Sequence, residues 1–220
     1  MIFKSNAMNL NFKDTVGYLT FKEFEKYDFI SHAFSTRCGG VSCNEFKSLN
    51  LSFSGGDDEK CVEKNYKIFC EALKFDFNLI ARTLQVHGNV IKKVSGEDIK
   101  NKNLKMLTFA EADGLVTDEP GIVLATFHAD CPAIFMIDPI KKAVGLAHAG
   151  WRGTVQKISQ NLLEAFIVNY NSSKGDILCA LGPSIGRCCF EVSKSILPEF
   201  EKLDIKNSYM YKSENKDKVN

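Results

Sequence analysis

The stretch DGLVTDEPGIVLATFHADCPAIFMIDPIKKAVGLAH (residues 113–148) decides the fold class of this 220-residue chain. It holds several short runs of β-branched and large apolar residues, each bounded by Gly, Pro or Asp, which is the pattern of strands joined by tight turns. These runs are DGLVTD (113–118), GIVLATF (121–127), AIFMID (133–138) and AVGLAH (143–148). Two more runs of this type lie outside the stretch, at LQVHGNVIKKV (84–94) and ILCALGP (177–183).

Helical periodicity appears on both sides of this β-rich centre. Residues 57–74 repeat apolar side chains at helical spacing behind two aspartates suited to a helix start. Residues 154–169 show the same spacing, with Thr154 or Gly153 as the expected N-cap. Because the strands are grouped and do not alternate with helices, the sequence predicts an α+β fold with a mixed sheet flanked by helices.

Length and composition indicate one soluble catalytic domain over residues 1–220, with residues 1–10 and 207–220 expected to be poorly ordered tails. The formal charge of +1 gives no general attraction to nucleic acid or to anionic membranes. No window has the length and apolar content of a signal peptide or membrane helix, so a cytoplasmic location is expected.

The eight cysteines are accordingly expected to be reduced thiols. No CxxC is present, and a disulfide between the adjacent Cys188 and Cys189 would be strained. Cys61, Cys70 and Cys179 are expected to be small buried apolar residues.

Three residues stand out as candidate metal ligands because each lies in a turn rich in small residues. His87 follows Gln85-Val86, Cys131 lies between two predicted strands, and His148 ends a strand that runs into Gly150-Trp151-Arg152-Gly153. Two imidazoles and one thiolate suit zinc or copper, and three protein ligands with an open fourth position form a catalytic site. A single histidine of this kind is more often a core residue, so the prediction depends on the set.

The chain also resembles a known family, the YfiH family of laccase-domain polyphenol oxidoreductases, described more recently as purine nucleoside phosphorylases. The resemblance is carried by ADGLVTDEPGIVLATFHADCPAIFMIDP, AVGLAHAGWRGT and ALGPSIGRCCFEV, and upstream by STRCGGVS (35–42), LNLSF (49–53) and QVHGNV (85–90). It runs from about residue 30 to residue 192. Family members usually continue further, so the resemblance implies that the C-terminal part is missing here.

The resemblance implies zinc ligands at His87, Cys131 and His148, with copper as the alternative metal. It implies an α+β sandwich related to the catalytic domain of cytotoxic necrotizing factor. The implied reactions are phosphorolysis of adenosine, inosine, guanosine and S-methyl-5′-thioadenosine, and deamination of adenosine. Purine nucleosides and phosphate are therefore the expected small-molecule partners.

Each implied reaction needs further residues beyond the metal ligands. Zinc deaminases add a carboxylic acid that carries the proton to the leaving ammonia. The candidates are Asp130, Asp113, Glu111 and Glu191. Asp130 adjoins Cys131, although neighbours on an extended segment face opposite sides. Phosphorolysis needs an anion site, and its candidates are Gly150, Arg152 and Gly153 at a helix start, together with Arg37. Trp151 is either a base-stacking residue or a core anchor.

Two other classes of function stay open from the sequence. A cysteine hydrolase would use Cys131 as nucleophile and His148 as base on an amide or muropeptide. A non-catalytic metal or redox sensor would use the cysteine-rich surface. A multicopper oxidase binds its coppers largely through histidines in HxH pairs, whereas this chain has four histidines and no HxH. Oxidation of polyphenols is therefore expected only as a side activity of copper in the His-Cys-His site.

Overall fold

The computed structural model describes residues 5–100, 109, 111–203 and 218–219. Strands in these ranges are mostly short. They are β1 (Met8–Lys13), β2 (Val16–Phe21), β3 (Phe34–Ser35), β4 (Ile80–Arg82), β5 (Ile91–Lys93), β6 (Gly114–Thr117), β7 (Val123–Ala125), β8 (Ala133–Asp138), β9 (Ala143–His148), β10 (Leu178–Leu181), β11 (Val192–Ser193) and β12 (Lys218–Val219). The α-helices are α1 (Glu59–Leu73), α2 (Gly96–Ile99), α3 (Trp151–Val155), α4 (Ile158–Tyr170) and α5 (Leu197–Glu201).

The main sheet has five strands in the order β10-β8-β9-β6-β5. Strands β10, β8, β9 and β6 pair antiparallel, whereas β5 pairs with β6 in parallel. The predicted α+β fold with a mixed sheet is therefore confirmed. One predicted strand lies elsewhere: β7 pairs in parallel with β4 to form a separate two-stranded sheet.

The unbroken apolar run of β8 is explained by burial on both of its faces. Ile134 and Met136 face a core cluster shared with α4, whereas Ile137 belongs to a cluster with Phe21 and Phe24, against which Phe135 packs. Alternate side chains of a strand point to opposite faces, so both sets must be apolar when both faces are covered. The small sheet β1-β2-β3 and the segment that follows β2 cover the face opposite α4.

Helix α4 lies close against the main sheet because glycine occupies the contact point on β9. A methyl group on Gly145 would lie 2.7 Å from Cε2 of Phe166, so a larger residue there would push the helix away. Phe166 and Leu162 are fully buried at this contact. Truncating a buried phenylalanine costs about 3–5 kcal/mol, so this contact contributes substantially to the stability of the fold.

The first predicted helix is confirmed, and the second differs in its start. Helix α1 is capped by the Asp58 side chain, which accepts the Lys60 N–H at 2.9 Å. Residues 151–170 form two helices, because Lys157 adopts a left-handed conformation (φ 64°) between them. Gly150 is the N-cap of α3, and Thr154 lies inside it, with its hydroxyl donating to the Gly150 carbonyl. The predicted caps Thr154 and Gly153 were therefore wrong.

The predicted tails are only partly described. Residues 8–10 belong to β1, which pairs with β2, so that part of the 1–10 prediction was wrong. Residues 207–220 lie outside the described residues except for β12, whose backbone pairs with β11. No helix in the described ranges is long and apolar enough to cross a bilayer.

All eight cysteines are free thiols. Cys70 is buried as predicted, and burial raises the pKa of its thiol to about 11. Cys61 is half-buried, and the prediction of burial is wrong for Cys179, which is exposed on the edge strand β10. An edge strand has no neighbour on one side to cover its side chains.

Candidate metal centre and the adjoining cavity

The backbone around His87 is held in place by one buried carboxylate. His87 lies in the turn before β5 and adopts a left-handed conformation (φ 60°), which is uncommon for a residue with a side chain. The N–H groups of Val86, His87 and Gly88 all donate to the carboxylate of Asp113, at 3.1, 3.0 and 2.8 Å. Asp113 itself is fully buried, directly before β6. These bonds stabilise the turn that presents the His87 ring.

The same carboxylate orients the second histidine. His148 ends β9, is buried, and its Nδ1 lies 2.9 Å from Oδ1 of Asp113. Its backbone N–H also donates to the Asp113 carbonyl, at 2.7 Å. Because an ionised carboxylate only accepts hydrogen bonds, the proton of the imidazole lies on Nδ1, and Nε2 keeps its lone pair for a metal. A carboxylate behind a ligating histidine is the usual arrangement in zinc sites.

Cys131 is positioned by a loop that is fastened at two points. The side chain of Gln85 makes two hydrogen bonds to the backbone of Phe127, one in each direction, at 2.6 and 2.9 Å. The ring of His128 bonds the Cys131 carbonyl through Nδ1 at 3.1 Å and the Thr126 hydroxyl through Nε2 at 2.8 Å. The Gln85 bonds tie the His87 loop to the loop that carries the thiol.

The predicted ligands come together in the folded chain. The ligand atoms of His87, Cys131 and His148 all lie within 4.8 Å of one another. Gly150 is packed directly against this cluster, because a methyl group there would lie 2.7 Å from Cδ2 of His87 and 3.5 Å from Sγ of Cys131. The small residue therefore leaves room for the ring of His87.

The chemistry of this donor set fits zinc or copper. Imidazole nitrogens and a thiolate are their preferred ligands, whereas magnesium and calcium prefer oxygen. Burial, followed by the charges of Asp130 and Asp113, raises the pKa of the Cys131 thiol. A thiolate at this position therefore needs a cation beside it, as a metal site provides. Among the described residues, three supply ligand atoms at this point, which fits a metal centre with an open position.

The other two histidines are already engaged in the fold. His32 accepts the backbone N–H of Phe21 at 2.7 Å, and burial lowers the pKa of its imidazole. His128 makes the two hydrogen bonds already described, and burial lowers the pKa of its ring to about 4. Only His87 and His148 direct their rings into the metal cluster, which supports a site for one ion and not for a multicopper cluster.

A cavity of about 690 Å³ lies beside the metal centre. Its lining includes aromatic side chains, among them Phe34, Phe46 and Phe127, beside aliphatic and polar ones. None of the three candidate ligands lines it, but the preceding residues of the Cys131 loop, His128 to Asp130, do. The cavity and the metal centre therefore share the loop that carries Cys131. The volume is within the range of small-molecule sites.

The other predicted site residues occupy three different settings. Asp130 is exposed and lines the cavity. Arg37 also lines the cavity, and its guanidinium donates to the carbonyls of Glu45 and Lys47. Arg152 is exposed, stacks 4.6 Å from the centroid of Trp151, and is not among the cavity-lining residues that the structure describes.

Two sequence expectations change at this point. Gly153 packs against the His87 turn, since a methyl group there would lie 2.5 Å from the Gly88 carbonyl oxygen. Helix α3 is only five residues long, so it offers a weaker anion site than the single long helix that the sequence predicted.

Asp113, a candidate proton carrier from sequence, is a buried residue with both oxygens engaged; its geometry is that of a positioning residue.

Comparison with known proteins defines the class to which this fold and site belong. The profile of the family described as "Multi-copper polyphenol oxidoreductase laccase" matches residues 31–220. The chain therefore belongs to this family, which is the family that the sequence motifs resembled.

Individual relatives carry more specific names. "Purine nucleoside phosphorylase YlmD" of Geobacillus stearothermophilus is 38% identical over 164 residues, which cover 74% of this chain and 60% of that protein. "Purine nucleoside phosphorylase YfiH" of Escherichia coli strain K12 is 34% identical, over 79% of this chain and 66% of the relative. The matched part of this chain thus spans less than two thirds of the length of these relatives.

Solved structures show the same fold. The crystal structure of YlmD from Geobacillus stearothermophilus superposes with a TM-score of 0.85 at 30% identity, covering 96% of this chain and 78% of the other. That of the Bacillus licheniformis hypothetical protein YfiH gives 0.87 at 29% identity, covering 98% and 79%.

Proposed function

We propose that the chain is a zinc-dependent purine nucleoside phosphorylase that also deaminates adenosine. Its substrates would be adenosine, inosine, guanosine and S-methyl-5′-thioadenosine, with phosphate as the second substrate and the cytoplasm as its location. The observation that carries the proposal is the His87-Cys131-His148 cluster beside a cavity partly lined by aromatic side chains, in a fold shared with YlmD, a protein named purine nucleoside phosphorylase.

His87, Cys131 and His148 would hold the zinc, and Asp113 would keep His148 in the correct tautomer. When bound, zinc supplies a Lewis acid that activates water or polarises a substrate oxygen. Copper in place of zinc would give at most a polyphenol oxidase side activity, because the chain offers one cluster of this kind among the described residues.

The cavity would hold the purine nucleoside. The aromatic side chains in its lining offer faces on which a purine could stack, and the exposed carboxylate of Asp130 would carry protons at the edge shared with the Cys131 loop. In phosphorolysis a phosphate oxygen bonds to C1′ of the ribose while the bond to the base nitrogen breaks, and the base leaves after gaining a proton. The anion needs cationic partners, and Arg37 and Arg152, with the backbone of Gly150 and Gly153, are the proposed ones.

The test combines metal content with product analysis. Protein purified without added metal is analysed for zinc and copper by inductively coupled plasma spectrometry, then incubated with adenosine in the presence and absence of phosphate. We expect close to one zinc per chain, inosine alone without phosphate, and adenine, inosine and hypoxanthine with phosphate. A matched pair of variants, His87→Ala and His32→Ala, separates the metal centre from the fold: only the first should lose both zinc and turnover. A zinc-free preparation with full turnover would refute the proposal.

A cysteine hydrolase acting on an amide or muropeptide is the second candidate. The observation in its favour is the order Cys131, His148, Asp113, in which a carboxylate orients an imidazole beside a thiol. The raised pKa of the Cys131 thiol argues against it, because an activated nucleophile needs a lowered one. Alkylation with iodoacetamide decides between them: a hydrolase would react fastest at Cys131 even in metal-loaded protein, whereas a zinc-bound thiolate would be protected until the metal is removed.

A further inference from the structure

Two exposed thiols lie side by side in the segment that follows β10. The backbone turns sharply there, because the N–H groups of Cys189 and Phe190 both donate to the Gly186 carbonyl, at 2.9 and 3.0 Å. This turn presents the side chains of Cys188 and Cys189 at the surface with their sulfur atoms 3.4 Å apart. The contact with Cys188 raises the pKa of the Cys189 thiol. Neither thiol belongs to the metal cluster.

The separation of the sulfurs indicates which kind of centre would fit between them. With bonds of about 2.3 Å, a typical metal–thiolate length, two sulfurs 3.4 Å apart subtend an angle of about 95° at the centre. That angle is narrower than the roughly 109° of a tetrahedral zinc site, and far from the linear geometry of copper(I) with two thiolates. Trivalent arsenic carries a lone pair, and its bonds to sulfur form a pyramid with angles slightly wider than a right angle. The separation of the two sulfurs is therefore compatible with both As–S bonds of one trivalent arsenical.

We propose that Cys188 and Cys189 form a dithiol site that captures a monosubstituted trivalent arsenical. The reaction is a condensation without change of oxidation state. An arsenoxide, R–As=O, reacts with the two S–H groups, two As–S bonds form, the As=O bond is broken, and its oxygen leaves as water with the two thiol protons. No oxidant or reductant is needed.

The site is separate from the candidate metal centre but attached to its loop. The N–H of Ile185 donates to the carbonyl of Asp130 at 2.9 Å, and that of Gly182 donates to the carbonyl of Ala133 at 2.9 Å. The dithiol turn thus continues from a segment that runs along the loop holding Cys131. The proposal does not rest on the proposed enzymatic function, because it needs only the two thiols and the turn between them.

Phenylarsine oxide is the probe for the test, used on the 220-residue chain as purified. We expect one equivalent to bind, with the loss of two thiols in a colorimetric thiol count and the matching increase in native mass. A chelated arsenical should survive an excess of 2-mercaptoethanol and be removed by 2,3-dimercaptopropanol. Cys188→Ser and Cys189→Ser should each weaken binding by roughly 10²-fold or more, the effect of losing one of two linked ligands. The exposed Cys38→Ser and Cys43→Ser are matched controls and should bind as the parent does.

Two results would overturn the assignment. One is tight, monothiol-resistant binding that persists in both Cys188→Ser and Cys189→Ser, which would place the arsenical on other thiols. The other is complete release from the parent chain by 2-mercaptoethanol, which would show that no chelate forms. Thermal denaturation of each variant checks that the fold is intact, which is expected because both side chains are exposed.

Discussion

Replacing Asp113 by asparagine tests the reasoning about the metal centre most directly. The carboxylate accepts four hydrogen bonds: Oδ1 from the His87 N–H and the His148 ring, and Oδ2 from the N–H groups of Val86 and Gly88. An asparagine has the same shape but only one oxygen. Whichever way its amide is turned, two of the four donors then face an NH₂ group and lose their acceptor.

The size of the effect follows from this count. An unsatisfied buried donor costs about 1–3 kcal/mol, so two of them cost about 2–6 kcal/mol. That is a large part of the 5–15 kcal/mol by which a typical domain is stable, so the variant should unfold at distinctly lower denaturant concentration. The metal should also bind roughly 10–100-fold more weakly, as is usual when the residue behind a ligating histidine is changed.

Asp138→Asn is the matched control. Asp138 is also fully buried and also accepts backbone N–H groups, from Ile140 and Lys141 at 2.8 and 2.9 Å. It ends β8, whereas Cys131 lies two residues before the start of that strand, so the length of the strand, roughly 16–17 Å, separates them. Zinc affinity is measured by competition with a chromophoric chelator, and stability by urea denaturation. The reasoning is refuted if Asp113→Asn binds zinc as the parent does, or if Asp138→Asn loses zinc affinity equally.

Three further predictions concern the site and the fold. Gly150→Ala should weaken zinc binding by roughly tenfold or more, because the added methyl group would displace the His87 ring. Gly175→Ala is the control and should not weaken it, because a methyl group at position 175 has no atom within 4 Å. Competition with a chelator measures the zinc affinity of both variants. Arg152→Lys should raise the activation barrier of phosphorolysis by about 1.5–3 kcal/mol and slow deamination much less, whereas Arg37→Lys should slow both reactions, because Arg37 also holds the cavity wall. The products formed with and without phosphate measure the two rates. An equal loss of both activities in Arg152→Lys would contradict a role of Arg152 in phosphate binding. His32, which is half-buried, and His128 both have a pKa lowered by burial, so the unfolded chain binds these two protons first as the pH falls below about 6.5. The free energy of unfolding, measured by urea titration, should therefore decrease from pH 7 to pH 5, and it should decrease less in a His32→Gln variant. If the variant shows the same pH dependence as the parent, His32 is not responsible.

The sequence predicted most of the main sheet because its strands are short, apolar and separated by clear turn residues. Runs 113–118, 133–138 and 143–148 became β6, β8 and β9. It did not predict that 121–127 would leave this sheet, because β7 pairs with β4, a strand of only three residues. Pairing partners depend on distant contacts, which a local pattern does not contain. The break between α3 and α4 was also missed, since lysine gives no signal for the left-handed conformation of Lys157.

The candidate ligands were identified from sequence, but the residues that position them were not. Turns with glycine, alanine or proline around His87, Cys131 and His148 favour them as a set, and the family resemblance adds the role of metal ligands. Asp113 was considered only as a proton carrier, because its position before a strand does not reveal that its carboxylate is buried and receives four donors. Gln85 gave no signal at all, although it lies two residues before His87; its partner, Phe127, is 42 positions away.

These positioning contacts bear on what kind of metal centre the fold supports. Asp113 bonds the His87 turn and the His148 ring, and Gln85 joins the His87 turn to the loop of Cys131, so all three ligands are connected by hydrogen bonds that do not involve a metal. A structural zinc site, by contrast, often organises segments that are unfolded without the ion. The sheet behind this site is covered on both faces by apolar side chains that are not part of the cluster. An ion bound by these three residues would therefore occupy a site that hydrogen bonds already hold in place, and its remaining coordination position would be open for chemistry.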